Sequence, residues 1–214
     1  MSVRPRLTVK ALAGPPVGEP SPAKLHPYPV SLSGKPISTP KEGLMIRPAT
    51  EADLQAILDI YNDAVINTTA VYTYTPHTLD MRRQWFNEHR EAGLPVFVLE
   101  EDGVIAGFAT YGNFRPWPAY KYSIEHSIYV HKDFRRRHIA TRLMEKLLEA
   151  ANRAGYATMI AGIDADNAAS IRMHERFGFT FAGKIVKAGY KFGRWLDLVF
   201  YQKLLDGPKQ PVGE

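Results

Sequence analysis

The sequence predicts an α/β domain built on a mixed, partly antiparallel sheet flanked by helices. Three observations carry this. The segments run β-α-α, then a three-strand meander, then β-α-β-α-β-β, an order that mixes hairpins with crossovers. Glu101-Asp102-Gly103, set between two apolar runs, is a hairpin signal. Ser127 to Met144 reads as a buried strand, a short basic turn and the first turns of a helix.

Taken in order, Leu44 to Arg47 is expected as a short first strand. Thr50 then caps a helix, with Asp53 completing a capping box. Leu54, Ile57, Leu58, Tyr61 and Val65 form its apolar stripe. Asn67 to Pro76 is a polar, Thr- and Tyr-rich loop, suited either to a substrate lid or to a plain surface connection. Thr78 starts a second helix that stops near Gly93. Val96 to Glu100 and Val104 to Tyr111 are the hairpin strands. Pro116 and Pro118 forbid regular structure between Asn113 and Ala119. Tyr122 to Val130 is the central strand, and Arg135 to about Gly155 a long helix. Ala157 to Ile163 is the next strand, and Asn167 begins a helix ending near Gly178. Phe179 to Lys187 and Arg194 to Leu204 close the sheet as an antiparallel pair.

The chain has 214 residues, enough for one substantial core plus some excess. The excess lies at the ends. Residues 1–43 hold most of the prolines without lasting periodicity, the composition of a disordered extension. Arg4, Arg6 and Lys10, with Glu19 the first acid, give that segment the faint character of a transit peptide, but it lacks the apolar stretch of a secretory signal. Residues 206–214 are expected as a flexible tail. Cysteine is absent, which excludes disulfides, thiol nucleophiles, a cysteinyl acyl-enzyme and Cys-based zinc sites. There is no run of about 18 apolar residues, so no membrane-spanning helix is expected. A net charge of +5, partly held in the arginine run, argues weakly for nucleic acid and better for a polyphosphate ligand.

A strand feeding a helix aims the helix's free N–H groups at the strand's end, where anions bind. Arg135, Arg136 and Arg137 add three positive charges at that place. Alone they read as a solvated corner; the strand-turn-helix context favours a phosphate site. On the pleat of the central strand, Ile124, Ile128 and Val130 share one face and Glu125, Ser127 and Tyr129 the other. A carboxylate there is either a general base with a raised pKa or half of an ion pair with Arg115 or a lysine. Arg115 offers a planar fork suited to a carboxylate, and Trp117 an aromatic anchor beside it.

The basic turn resembles the acyl-CoA pyrophosphate loop of the GNAT acetyltransferases, Gln/Arg-x-x-Gly-x-Gly/Ala. Arg135 matches the first position and Ala140 the last, while His138 stands where the family has glycine. Ile124-Glu125-His126-Ser127, the block AGIDADNAASIRMHERFGF and the block GYKFGRWLDL together resemble the phosphinothricin and methionine sulfoximine N-acetyltransferase branch, from about Met45 to Leu205. The resemblance implies the GNAT fold over residues 44–205, acetyl-CoA as co-substrate without a metal, and a cytoplasmic homodimer. An organellar role for the extension stays open.

It further implies that Glu125 is the base and that His174, where much of the superfamily has tyrosine, protonates the thiolate. Ile128, Tyr129, Val130, Arg135, Arg136, Arg137, His138, Ile139, Ala140, Thr141 and Asn167 would hold the cofactor, although an N-cap role also explains Asn167. Arg115, Pro116, Trp117, Glu125, His126 and Ser127 would line the acceptor site. The expected reaction is direct acetylation of the α-amine of a small amino acid or analogue. The rivals are a protein or peptide N-acetyltransferase, disfavoured by a tight Arg115-Trp117 pocket, and a non-catalytic CoA-binding module. His138 is expected to keep ordinary helical dihedrals with its imidazole turned outward.

Overall fold

The structure is a computed structural model and describes residues 43–213. Apart from Gly43, the expected disordered extension lies outside the described residues. In chain order the elements are β1 (Leu44–Pro48), α1 (Leu54–Asn67), α2 (Leu79–Glu91), β2 (Val96–Glu101), β3 (Val104–Asn113), β4 (Ser123–Val130), α3 (Ile139–Arg153), β5 (Thr158–Asp164), α4 (Ala168–Arg176), β6 (Thr180–Lys191) and β7 (Arg194–Leu204). The strands form one sheet in the order β1-β2-β3-β4-β5-β7-β6. Only β4 and β5 pair in parallel.

The two-residue period of the strands sends alternate side chains to two cores. Val96, Val98 and Phe108 pack with Leu54, Ile57 and Ile60 of α1 and Phe86 of α2. Phe97, Leu99 and Ala109 face the other way, onto Ile139, Leu143, Met144 and Leu147 of α3. The expected faces of β4 are observed: Ile124, Ile128 and Val130 belong with the α3 core and Tyr129 with the α1 core. The register of β2 on β3 shifts after Leu99, whose partner is Gly107, to Glu100, whose partner is Ile105. Ala106 is thus the extra residue of a bulge, which turns both it and Gly107 toward α3.

The capping box forms as read, with the Asp53 carboxylate accepting from the Thr50 N–H at 2.7 Å and from its hydroxyl at 2.9 Å. Arg47 also grips Asp53 through two N–H bonds of 2.7 and 2.8 Å, which holds the Asp53 pKa below the usual carboxylate range.

Four expectations change. The long helix begins at Ile139, not Arg135; Lys132–Phe134 forms a 3₁₀ turn and Arg135–His138 a loop. The span between Asn113 and Ala119 is not wholly irregular, because a 3₁₀ turn runs over Pro118–Tyr120 with proline at its first position, where no N–H is needed. β6 continues past Lys187, which takes a positive φ of 55° at a second bulge, and ends at Lys191. Residues after β7 bond back to the domain: Leu205 N–H to Ala157 O at 2.9 Å, Gly207 N–H to Tyr156 O at 3.2 Å and Val212 N–H to the Tyr122 hydroxyl at 3.1 Å.

Candidate active site

The site exists because two parallel strands part. β4 and β5 pair only from Ser123↔Thr158 to Glu125↔Ile160. Beyond that point β4 runs on to Val130, bonded on its other side to β3, while β5 keeps its bonds to β7. Residues 126–130 therefore have one edge free of sheet partners among the described residues. The opening is a cavity of about 1270 Å³. Its walls include Glu125 to Val130, Arg115, the loop Thr68–Tyr72, Gly162 to Asp164, the start of α3 and one side of α4.

Glu125 sits where the strands separate. Burial raises its pKa, and Arg115 opposes this only as a nearby charge. No hydrogen bond or ion pair holds its carboxylate among the described residues, so the ion-pair alternative is not what the structure contains. Gly162 on β5 leaves it room: a Cβ there would lie 3.0 Å from Glu125 Oε1.

His126 points to the opposite face of the strand. It is 9% exposed, and its Nε2 lies 3.0 Å from Nε2 of His174, which is 3% exposed. His174 Nδ1 lies 2.7 Å from the Ser170 carbonyl, which only accepts. The tautomers follow: His174 donates from Nδ1 to Ser170 O, and its Nε2 accepts from the Nε2–H of His126. His126 Nδ1 is then a bare acceptor, without a partner among the described residues. Burial lowers both pKa values, that of His126 to about 3 with help from its neighbour. Burial thus favours the neutral form of both rings, and Phe179 stands in T-shaped contact with each. Sequence reading placed His126 with the acceptor residues; the structure brings it to the cavity as the partner of His174 instead, because residues 125 and 126 alternate across the pleat.

The start of α3 borders the same cavity. Its first intrahelical bond runs from Arg142 N–H to His138 O, so the N–H groups of Ile139, Ala140 and Thr141 precede the ladder, and these three residues border the cavity. Arg135, Arg136 and His138 also line it. Arg135 is steadied by Asp63 of α1 at 3.1 Å. Arg137 is not part of the lining; it lies 3.6 Å from Glu101 and over the Phe134 ring. The expected dihedrals of His138 are wrong: φ is +63°, and Arg136 has +62°. The turn demands the left-handed region there, which is why glycine suits such a loop. The imidazole is exposed, as expected, and the backbone keeps the path a glycine would give it.

Two acceptor candidates fall outside. Pro116 and Trp117 do not line the cavity, and Trp117 is 63% exposed. Arg115 does line it, donating to Phe114 O at 2.9 Å and lying over the Phe114 ring. Asn167 caps α4, accepting from Ser170 N–H at 3.1 Å, and borders the cavity as well. Sequence reading did not single out Thr68–Tyr72 beyond a general lid, nor Lys191, which holds that loop. Among the described residues, no three His, Asp or Glu converge as for a metal.

The chain matches the Acetyltransferase (GNAT) family over residues 54–179. It belongs to this family. This GNAT chain is 41% identical over 168 residues, 78% of its own length and 98% of the relative's, to an L-methionine sulfoximine/L-methionine sulfone acetyltransferase of Salmonella typhimurium. The crystal structure of a GNAT superfamily phosphinothricin acetyltransferase from Sinorhizobium meliloti, in complex with acetyl-CoA, is similar with a TM-score of 0.76 and 33% identity. The match covers 80% of this chain and 94% of that one. A ribosomal-protein-alanine N-acetyltransferase from Brucella melitensis has a TM-score of 0.74 and 46% identity, covering 75% and 99%. The GNAT fold and the acetyltransferase class expected from sequence both hold.

Proposed function

We propose that this acetyltransferase moves the acetyl group of acetyl-CoA to the α-amine of a small amino acid analogue, of the methionine sulfoximine or phosphinothricin kind, by direct attack in a ternary complex. The observation that carries this is Glu125, a carboxylate with a raised pKa and no partner among the described residues, in one cavity with the first residues of α3, whose N–H groups precede the helical ladder. The residues fit CoA: Arg135 and Arg136, with the N–H groups of Ile139 to Thr141, suit a pyrophosphate. The free edge of Ile128 to Val130 suits the amides of an extended arm. Acetyl-CoA supplies the activated acyl group.

Glu125 takes the proton from the acceptor's ammonium, which frees the amine lone pair. Arg115 faces the acceptor's carboxylate. A backbone N–H on the open edge of β4 meets the charge that develops on the carbonyl oxygen. His174 assists the departing thiolate. Its donor hydrogen must first leave Ser170 O, so its contribution is the smaller one.

A protein N-terminal alanine is the second reading. The Brucella relative favours it, and so does Trp117, whose place outside the cavity removes the tight pocket that argued against it. An acetyl-CoA consumption assay over amino acids, methionine sulfoximine, phosphinothricin and alanine-started peptides decides between them. Turnover is expected with the small analogues; turnover confined to peptides reverses the assignment. Calorimetry with CoA separates both from a chain that binds no CoA.

We also propose a homodimer acting in the cytoplasm. Val186, Phe192 and Trp195, each more than half exposed on the edge hairpin, are apolar side chains that a second copy would cover. No helix among the described residues is long and apolar enough to cross a membrane. Light scattering on the purified chain tests the assembly, with a monomer as the contrary result.

A further inference from the structure

The hairpin segment Tyr190 to Asp197 has no part in the chemistry above, yet it contains a lysine whose every donor is engaged. Lys191 is 5% exposed. Its Nζ donates to Val65 O at 2.6 Å, Thr68 O at 2.9 Å and Val71 O at 2.8 Å. An ammonium has three hydrogens and accepts none, so three carbonyls satisfy it completely. No carboxylate partners it among the described residues. Its charge faces the negative end of α1, whose last turn holds Val65 and whose C-cap is Thr68.

The same hairpin touches the loop twice more. The Tyr74 hydroxyl donates to Tyr190 O at 2.5 Å. The Tyr72 ring lies so close to Gly189 that a Cβ there would sit 2.7 Å from its Cδ2. The far end is clamped by Asn62, whose amide donates to His77 O at 2.9 Å and accepts from His77 N–H at 2.8 Å. Thr68 to Tyr72, between these ties, line the cavity that holds Glu125. A segment bound at its start, middle and end is a wall, not a lid.

We propose that Lys191 is a positioning residue: by gathering three carbonyls at the end of α1, it fixes the Thr68–Tyr72 wall and so sets how the acceptor sits against Glu125. The effect on the acceptor rests on the acetyltransferase reading; the effect on the wall does not. Lys191→Met keeps the stem and removes every donor, leaving three carbonyls without their partner. Gly189→Ala leaves Lys191 intact and displaces Tyr72 from the same wall.

Both variants of the full chain are to be compared with the parent by amide hydrogen exchange and by kinetics with L-methionine sulfoximine. In Lys191→Met, exchange over residues 68–72, where the Ala70 N–H is held by the Thr68 hydroxyl, should quicken several-fold as the wall loosens. The KM for methionine sulfoximine should rise by about tenfold, while kcat and the KM for acetyl-CoA stay within about twofold. Gly189→Ala should raise the same KM with little change in exchange. Unaltered exchange at 68–72 in Lys191→Met overturns the proposal, and so does a KM for acetyl-CoA that rises in step with that for the acceptor. If Lys191→Met fails to fold, an unchanged acceptor KM in Gly189→Ala overturns it. If the parent acetylates no amino acid, the functional reading has failed, and exchange alone decides the role of Lys191.

Discussion

Glu125 is a carboxylate that the fold keeps from a partner, and that has a measurable cost. Its raised pKa means that the folded chain holds the proton more tightly than the unfolded one. Stability is therefore lost as pH rises from the ordinary carboxylate value through the raised one. Glu125→Gln should then melt higher than the parent at neutral pH, while kcat falls by about 10²–10⁴-fold, the usual worth of a general base. The loss should shrink at high pH, where the amine is already free; a uniform loss would make Glu125 a charge that merely positions the ammonium. His126 has the opposite linkage. Its pKa is lowered from 6.5 to about 3, so the unfolded chain takes up a proton that the folded one refuses. That stability is complete above pH 6.5 and drains away as pH falls toward 3. His126→Gln should narrow the gap between melting temperatures at about pH 7.5 and about pH 5; an unchanged gap places the acid-sensitive group elsewhere. Strand alternation made Glu125 legible in the sequence. It could not reveal that His126 bonds to a residue 48 positions away, since only the packing of α4 on β4 brings the rings together.

At the scale of elements, the basic loop shows where sequence reading stopped. Arginine is a good helix former, and RRRH contains no glycine to announce a turn, so the helix was expected to begin at Arg135. In the folded chain the free N–H groups begin four residues later, and the side chains divide. Arg135 and Arg136 line the cavity, while Arg137 turns to Glu101. Replacing Arg135 or Arg136 with alanine should raise the KM for acetyl-CoA by roughly tenfold or more, as expected for a charged hydrogen bond, with kcat little changed. Arg137→Ala should leave that KM alone; an equal rise for all three would mean a diffuse field rather than contacts. His138→Gly relieves a left-handed residue and should stabilise the fold by about 1 kcal/mol, read as a melting temperature higher by roughly 2–4 °C. The succession of elements, the hairpins and the helix faces were within reach of the pattern, because periodicity reports burial directly; the placement of β7 between β5 and β6 was not, because burial does not say which strands pair. The tethered loop was not, because its restraint comes from a lysine that composition alone assigns to solvent.

For the whole molecule, the proposed cofactor site and the core are one construction. α3 supplies both the free N–H groups proposed to meet the pyrophosphate and a buried stripe of Ile139, Leu143, Met144, Leu147 and Ala151 in the core, so it cannot move for one without disturbing the other. One close approach is at Gly107, which the β3 bulge turns toward α3. A Cβ there would lie 2.8 Å from Tyr129 O, 2.9 Å from Ile139 Cγ2 and 3.2 Å from Leu143 Cδ1. Ile139 is the first residue of α3 and borders the cavity. Gly107→Ala must therefore lift the start of α3 or press on the free strand of β4. Overpacking of this kind costs about 1–3 kcal/mol, and the displaced N–H groups should raise the KM for acetyl-CoA in the same variant. Gly112 on the same strand is the control, since nothing lies within 4 Å of the Cβ it would gain. Calorimetric melting and CoA titration of the two variants check the coupling. Gly107→Ala should lose stability and CoA affinity together, and Gly112→Ala neither. A Gly107→Ala chain that melts lower yet binds CoA as the parent does would show that the core and the proposed anion site are mechanically separate.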